Sequence, residues 1–466
     1  MFQIIVLMNG DLFRATGARS LAHLTSEETN YGGYPQIIDA TFSSVKTRAS
    51  KIRPKVDPFV IDNFYRKLHH EIDSITPDER CAAFGVQPHN ETVPRRIFYG
   101  SMLADENMEI LEMNAIEAHG IYHVMAFVES NTTHMATPRK LRFRDSPEGD
   151  LLQHSNMFGS QTRVVIDYWL EDYPSLHSMN REVEQRNTIT KIWIEAGMTE
   201  RDIAIMADLD EVVSRDFLRA LQVCDFPQLR FQEDEQPSCQ APKMVLSTIQ
   251  FESSPFCIRK REWFHPDVML GQCIEGIGDP TERVVPLRNF ERKLGERSQK
   301  YGAHDHNKYP QHILESGKFP LWSGRDIRTV SGSSGPLMAY KDKSGHRNTS
   351  ALGVAYHFHN WFQNADDIRH KYATYGHGWP QALTMHLSDI EHDLDLLVRC
   401  ARSLSNDMNP SGYPYYEHNG DVETFWTTFG GPKPLYFRND TYVRERHTWL
   451  QRIVAADEKK FGSKYH

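Results

Sequence analysis

Apolar positions recur along this chain in two periods, and the switches between them set the expected elements. Ile97 to Met102 reads as a strand. Asp105 then starts a helix with an apolar stripe of Met108, Leu111, Ala115 and Ala118, closed by Gly120 where a left-handed residue ends helices. Tyr122 to Val128 is a continuous apolar run, as expected of a strand buried on both faces of a parallel sheet. The unit then repeats. A helix over 181–196 turns Val183, Ile189, Ile192, Trp193 and Ala196 inward and stops at Gly197. Ile203 to Ala207 is the next buried strand, and Ser214 caps a helix from Arg215 with Phe217, Leu218 and Leu221 inside. Alternating βα units predict an α/β fold, a mostly parallel twisted sheet flanked by helices. Residues 1–94 read as an N-terminal extension, with a short helix over 64–72 and a linker over 88–94, ahead of the main domain over 95–466. The stretches 227–242 and 295–317 read as surface insertions, and 329–337 as a flexible turn.

Composition narrows this picture. Among 466 residues, 39% are hydrophobic and 11% aromatic, enough apolar material to exclude a mostly disordered chain. The net charge is −9 with no basic tract, so nothing suggests a nucleic-acid partner. The longest near-apolar stretch, Phe2 to Met8, falls far short of the ~20 residues a membrane helix needs, so no membrane span is expected in this chain. Six cysteines, Cys81, Cys224, Cys239, Cys257, Cys273 and Cys400, contain no CxxC, which excludes a zinc ribbon and permits disulfides. Glycosylation sequons at Asn90, Asn131, Asn348 and Asn439 lean towards a secretory compartment.

The chemistry concentrates where a buried strand ends in Asp208-Leu-Asp210-Glu211. Ligands of open parallel sheets bind beyond the carboxyl ends of strands. In extended chain Asp208 and Asp210 share a side, and two adjacent carboxylates invite a divalent cation, Mn²⁺ or Mg²⁺. Two reactions fit: sugar transfer from a nucleotide-sugar, or phosphoryl transfer of the haloacid-dehalogenase type, whose first motif Asp208 to Val212 also satisfies. A second cluster spans Tyr356 to Phe362, where His357, His359 and Trp361 share a face at period two. The two histidines with His377 suit a zinc site; otherwise the block reads as buried, hydrogen-bonded strand residues or as the lining of a sugar pocket. Glu129 and Asn131 end the Tyr122 strand on the same sheet edge as Asp208, and Arg186 lies where it could reach a diphosphate.

These blocks together resemble glycosyltransferase family 17. Met108 to Glu117 is similar to the family's LDLLEIRLNEL helix, and Val124 to Thr133 to its FVIVEsnxTF strand. Glu184 to Asn187 with Ala207 to Val212 resembles QRN…sDvDEiP, and Tyr356 to Phe362 with Lys371 to His377 resembles GWHcSyCF…Kl.sfsH. The resemblance runs from about Arg95 to Leu396. This chain departs from it at Asn114 (usually Arg), at Val213 (usually Pro), and at His359-Asn-Trp361, which replaces a cysteine-bearing tract.

The resemblance implies a GT-A-like fold and inverting transfer of N-acetylglucosamine from UDP-GlcNAc to a mannose of an N-glycan on a glycoprotein, in the Golgi lumen. Without it the chain reads as secreted or cytoplasmic. On this reading Asp208 and Asp210 hold Mn²⁺ (or Mg²⁺), while Glu129, Asn131 and Arg186 serve the nucleotide. His357, His359, Trp361 and His377 bind sugar, and either Glu211 or Asp389 is the general base. A phosphohydrolase and a non-catalytic glycan-binding protein are the alternatives.

Overall fold

Where residues buried on both sides alternate along a strand, they must feed two separate cores, and the central strands do so. The computed structural model describes residues 58–105, 107–171, 178–230, 243–278, 322–329, 337–338, 353–375, 378–403 and 433–463. In chain order the elements are α1 (Pro58–Asp73), α2 (Pro77–Phe84), β1 (Ile97–Leu103), α3 (Met108–Ala118), β2 (Tyr122–Ser130), α4 (Pro147–His154), β3 (Arg163–Trp169), α5 (Ser178–Glu195), β4 (Ile203–Met206), β5 (Glu211–Val213) and α6 (Arg215–Val223). They continue with β6 (Lys243–Glu252), β7 (Ile258–Leu270), α7 (Gly324–Thr329), β8 (Leu337–Met338), β9 (Ala355–His359), α8 (Ala365–Thr374), α9 (Leu387–Ile390), α10 (His392–Ser403) and α11 (Asp440–Phe461).

The described strands form one nine-stranded sheet in the order β3-β2-β1-β4-β7-β6-β9-β5, with β8 paired beside β6. The half built from β3, β2, β1 and β4 is parallel. Beyond β4 the sheet is mixed: β7 runs antiparallel to β4 and to β6, β9 runs parallel to β6, and β5 closes antiparallel on β9. The expected α/β architecture therefore holds, with an antiparallel strand inserted after β4. Ile97, Tyr99, Met125, Phe127, Ile203 and Ile205 pack on one face; Phe98, Val124, Ala126, Val128, Ala204 and Met206 pack on the other, with Ile189 and Trp193 of α5. That division accounts for the unbroken apolar runs. A Cβ at Gly100 would meet Ile189 at 2.1 Å and Trp193 at 2.7 Å, so β1 needs glycine where α5 crosses it.

Several local expectations match the structure. Gly120 and Gly197 hold positive φ, and the Ser214 hydroxyl accepts from the Phe217 amide at the start of α6. The cap of α3 is Asn107, whose side chain accepts from Glu109, and not Asp105 as the sequence suggested. Residues 64–72 are helical as expected, within a longer α1. Tyr65, Cys81 and Phe84 from this N-terminal region lie in the same core as β1 and α3, and Cys81 is disulfide-bonded to Cys224 just after α6. A second disulfide joins Cys257 to Cys400, beside a third core built by α8, α10 and α11. Most of the two expected insertions, and all but Thr329 and Leu337 of the expected turn, lie outside the described residues.

Candidate active site

The site begins at the end of β4. The Ala207 amide still donates to Gly100, and the chain then turns. The Glu211 amide donates to the Asp208 carbonyl at 3.0 Å, while the Asp208 amide donates back to Glu211 Oε2 at 2.9 Å. β9 fixes the turn from the other side, through the Phe358 amide to the Asp210 carbonyl at 2.8 Å. Leu209 is buried between the two acids. The period-two alternation thus survives the turn, with leucine held in the core and both carboxylates on a cavity of about 340 Å³.

Two arginines bracket Asp208. Arg186 Nη2 of α5 lies 2.7 Å from Oδ1, and Arg328 Nη2 of α7 lies 2.6 Å from Oδ2. Burial alone would raise this carboxyl, but Arg328 and Arg186 hold it well below the usual carboxylate range. α7 reaches α5 through Gly324, where a Cβ would sit 2.1 Å from the Arg186 carbonyl. That close approach brings Arg328 alongside Arg186. Asp210 has looser partners, His357 Nε2 at 3.5 Å and Lys371 Nζ at 3.9 Å. Burial pushes its carboxyl up, and His357 followed by Lys371 brings it below the ordinary value. Arg186 Nη1 and Gln185 Nε2 are buried donors without a hydrogen-bond partner among the described residues, and both residues line the cavity. A fixed, unsatisfied pair of donors of this kind is costly unless a ligand accepts from it.

Of the residues singled out from sequence, Asp208, Asp210, Arg186, His357 and His359 line this cavity. The others are elsewhere. Glu211 is fully buried, its Oε1 accepting from Trp263 Nε1 at 2.7 Å and Arg328 Nη2 at 2.6 Å. With Oε2 already taken by the Asp208 amide, it braces the turn and has no free oxygen to act as the base. Asp389 is exposed on the one-turn helix α9 and is not on the cavity wall. Glu129 turns away and accepts the Arg142 and Phe143 amides, and the Asn131 side chain pairs with the backbone of Glu171. From that strand end it is Thr132, Thr133 and His134 that reach the cavity. Trp361 is 2% exposed, donating to Glu109 and lying under Arg446 in the core. The alternation that placed it beside His359 ends one residue earlier, because Asn360 takes a φ of 56° and rotates the chain. His377 lies outside the described residues.

Sequence reading missed Arg328, Gln185, Trp263 and Glu252. An arginine on a six-residue helix has no periodic signal, and Glu252 reads as the polar end of a strand. Gln185 alone had a cue, as the neighbour of Arg186 in the matching block.

Two carboxylates on a cavity wall suit a hard divalent cation, which needs oxygen ligands. Asp210, with only long contacts, has the more available oxygens; Asp208 would share its oxygens with the arginines. No group of three metal-ligating side chains stands ready among the described residues, so the remaining ligands would come from a bound diphosphate and water.

This combination, a β4-end carboxylate pair beside cationic and amide donors that have no partner among the described residues, suits an anionic group accompanied by a cation. The model of glycosyltransferase family 17 matches residues 36–233. The chain is a glycosyltransferase, and over that span it carries the family 17 pattern, as its motifs suggested. The match favours sugar transfer over the phosphohydrolase alternative. It also begins within the N-terminal extension, in which the motifs alone had no counterpart, and ends before β6, so the His357 block lies outside it. Among solved structures the chain is similar to the mannosyltransferase PcManGT from Pyrobaculum calidifontis in complex with GDP-Man and Mn²⁺. The identity is 11%, over 86% of this chain and 96% of that one. The TM-score is 0.24, at which the likeness carries no argument. No curated protein matches.

Proposed function

We propose that this glycosyltransferase moves N-acetylglucosamine, with inversion, from UDP-GlcNAc to a mannose of a glycoprotein N-glycan, using Mn²⁺ or Mg²⁺. The observation that carries the reading is the pairing, in one cavity, of Asp208 and Asp210 with the unpartnered Arg186 Nη1 and Gln185 Nε2. The donors suit phosphate oxygens and the carboxylates suit the accompanying cation. Asp208 and Asp210 would hold that cation, which would supply positive charge against the departing diphosphate. Arg186 would bind and orient the diphosphate with donors fixed before it arrives, so no reorganisation is spent as charge develops. Tyr375 and Trp379 are exposed beside this region and suit the apolar face of a sugar ring.

A secretory-lumen location, the Golgi on the family resemblance, is supported by the Cys81–Cys224 and Cys257–Cys400 disulfides, since such bonds persist in oxidising compartments. No helix among the described residues is long and apolar enough to cross a membrane. The deciding experiment is a calorimetric titration of UDP with and without Mn²⁺, followed by product analysis with UDP-GlcNAc and a mannose-terminated N-glycan. Metal-dependent UDP binding with sugar transfer is expected. Glycan binding without any UDP binding would overturn the reading in favour of a lectin-like protein.

A further inference from the structure

The buried carboxylate Glu252 has no part in the diphosphate site, yet it is set against a residue that lines the cavity. Glu252 ends β6, is fully buried, and pairs in register with His359 at the end of β9. His359 Nδ1 lies 2.9 Å and 3.0 Å from the two Glu252 oxygens. Gln250 Nε2 and Asn360 Nδ2 also donate to that carboxylate, at 3.0 Å and 3.3 Å, and Asn360 reaches Tyr372 at 3.1 Å. A carboxylate facing Nδ1 requires the proton on that nitrogen, so Nε2 carries the lone pair. Nε2 makes no hydrogen bond among the described residues, and His359 is part of the cavity wall.

We propose that His359, oriented by Glu252, is the general base of the transfer reaction, taking the proton from the acceptor sugar hydroxyl. This rests on the glycosyl-transfer reading above. The acceptor oxygen forms its bond to the anomeric carbon as the bond from that carbon to the diphosphate oxygen breaks. The bonding pair leaves on the diphosphate, and the hydroxyl proton passes to His359 Nε2. The imidazolium that results lies against Glu252 and later gives its proton to water.

Three other cavity acids are less suited. Glu182 is committed to Arg186 at 3.0 Å, and Asp105 faces Arg139 and His370. Asp367 is hydrogen-bonded by Asn364. The charged and titratable groups around the His359 ring are Glu252 of β6, Lys371 of α8, His357 of its own strand, and Asp208 and Asp210 across the cavity. Burial lowers the His359 pKa below its ordinary value, with Glu252 opposing, so the ring is neutral and able to accept a proton at neutral pH.

The test measures transfer from UDP-GlcNAc to a mannose-terminated N-glycan with Mn²⁺, alongside calorimetric donor affinity and melting temperature. His359→Gln should lower kcat by about 10²–10⁴-fold and remove the acid-side limb of its pH profile, with donor affinity and melting temperature unchanged. Added imidazole should partly restore His359→Ala. Glu252→Gln removes the charge that favours imidazolium, so the acid limb should move to lower pH. If that variant does not fold, the His359 variants carry the test. A wild type that transfers while His359→Gln keeps the full pH profile, or a limb lost in Asp367→Asn or Glu391→Gln instead, overturns the dyad alone. A wild type that transfers nothing from UDP-GlcNAc overturns the transferase reading, and the base with it.

Discussion

Replacing Glu211 by alanine should unfasten the acidic turn and not merely remove a charge from it. Three donors converge on this buried carboxylate: Arg328 at 2.6 Å, Trp263 at 2.7 Å and the Asp208 amide at 2.9 Å. Arg328 retains Asp208 at 2.6 Å and Asp267 at 3.6 Å, so its guanidinium is not left wholly uncompensated. The indole and the amide, however, both lose the carboxylate they share. Each stranded donor costs about 1–3 kcal/mol, and breaking a buried ion pair from one side costs about 3–5 kcal/mol. These terms overlap, which puts the loss near 3–5 kcal/mol and the drop in melting temperature on the order of 10 °C. Glu211→Gln preserves the shape and one acceptor oxygen, so it should lose roughly half as much. Thermal unfolding of both variants, with the pH profile of kcat for Glu211→Gln, is the assay. An unchanged melting temperature with abolished turnover, or a lost acid limb in the glutamine variant, would make Glu211 a chemical group and refute its role as a brace.

The two aspartates should separate in the same assay. Asp210→Ala should abolish Mn²⁺-dependent UDP binding with little change in melting temperature, whereas Asp208→Ala should also destabilise the protein, because it leaves buried Arg186 and Arg328 facing each other. If both melt as wild type does, the arginine bracket is not a source of stability. Arg186→Lys should weaken UDP binding about tenfold or more, since an ammonium cannot serve Asp208, Glu182 and a phosphate together, and calorimetry reads this directly. His69 gives a pH prediction. Burial, then the charge of Arg215, lowers its pKa from 6.5 to about 3, so the folded state excludes a proton that the unfolded chain takes up below 6.5. Stability should therefore fall as pH drops from 6.5 towards 3, by about 2 kcal/mol at pH 5 from this group. His69→Gln should flatten that dependence in melting scans between pH 7 and 5; an unaltered slope would locate the acid sensitivity elsewhere.

Sequence-local physics makes much of this protein legible. Gly120, Gly197 and Ser214 carry their instructions in their own backbone preferences, and apolar runs such as Tyr122 to Val128 report burial on two faces without naming the neighbours. Asp208 and Asp210 were readable for the same reason, since alternation along an extended chain is set by the chain itself. Even the motif blocks depend on order and spacing along one dimension.

What required the tertiary structure is whatever depends on residues far apart in sequence meeting at a point. Glu211 and Asp210 are neighbours of similar chemistry, yet one is sealed under Trp263 and Arg328 while the other faces the cavity. Only the arrival of α7, some 117 positions later, separates them. His359 and Trp361 look alike by periodicity until Asn360 turns the chain and sends the tryptophan into the core. Glu252 gains its meaning from β9 docking beside β6, bringing His359 into register across 107 positions. Hydrophobic patterning is a one-residue-at-a-time quantity and survives in the sequence. A hydrogen-bond partner, a shared carboxylate or an unpartnered buried donor is a relation between elements, and only the packing of those elements creates it.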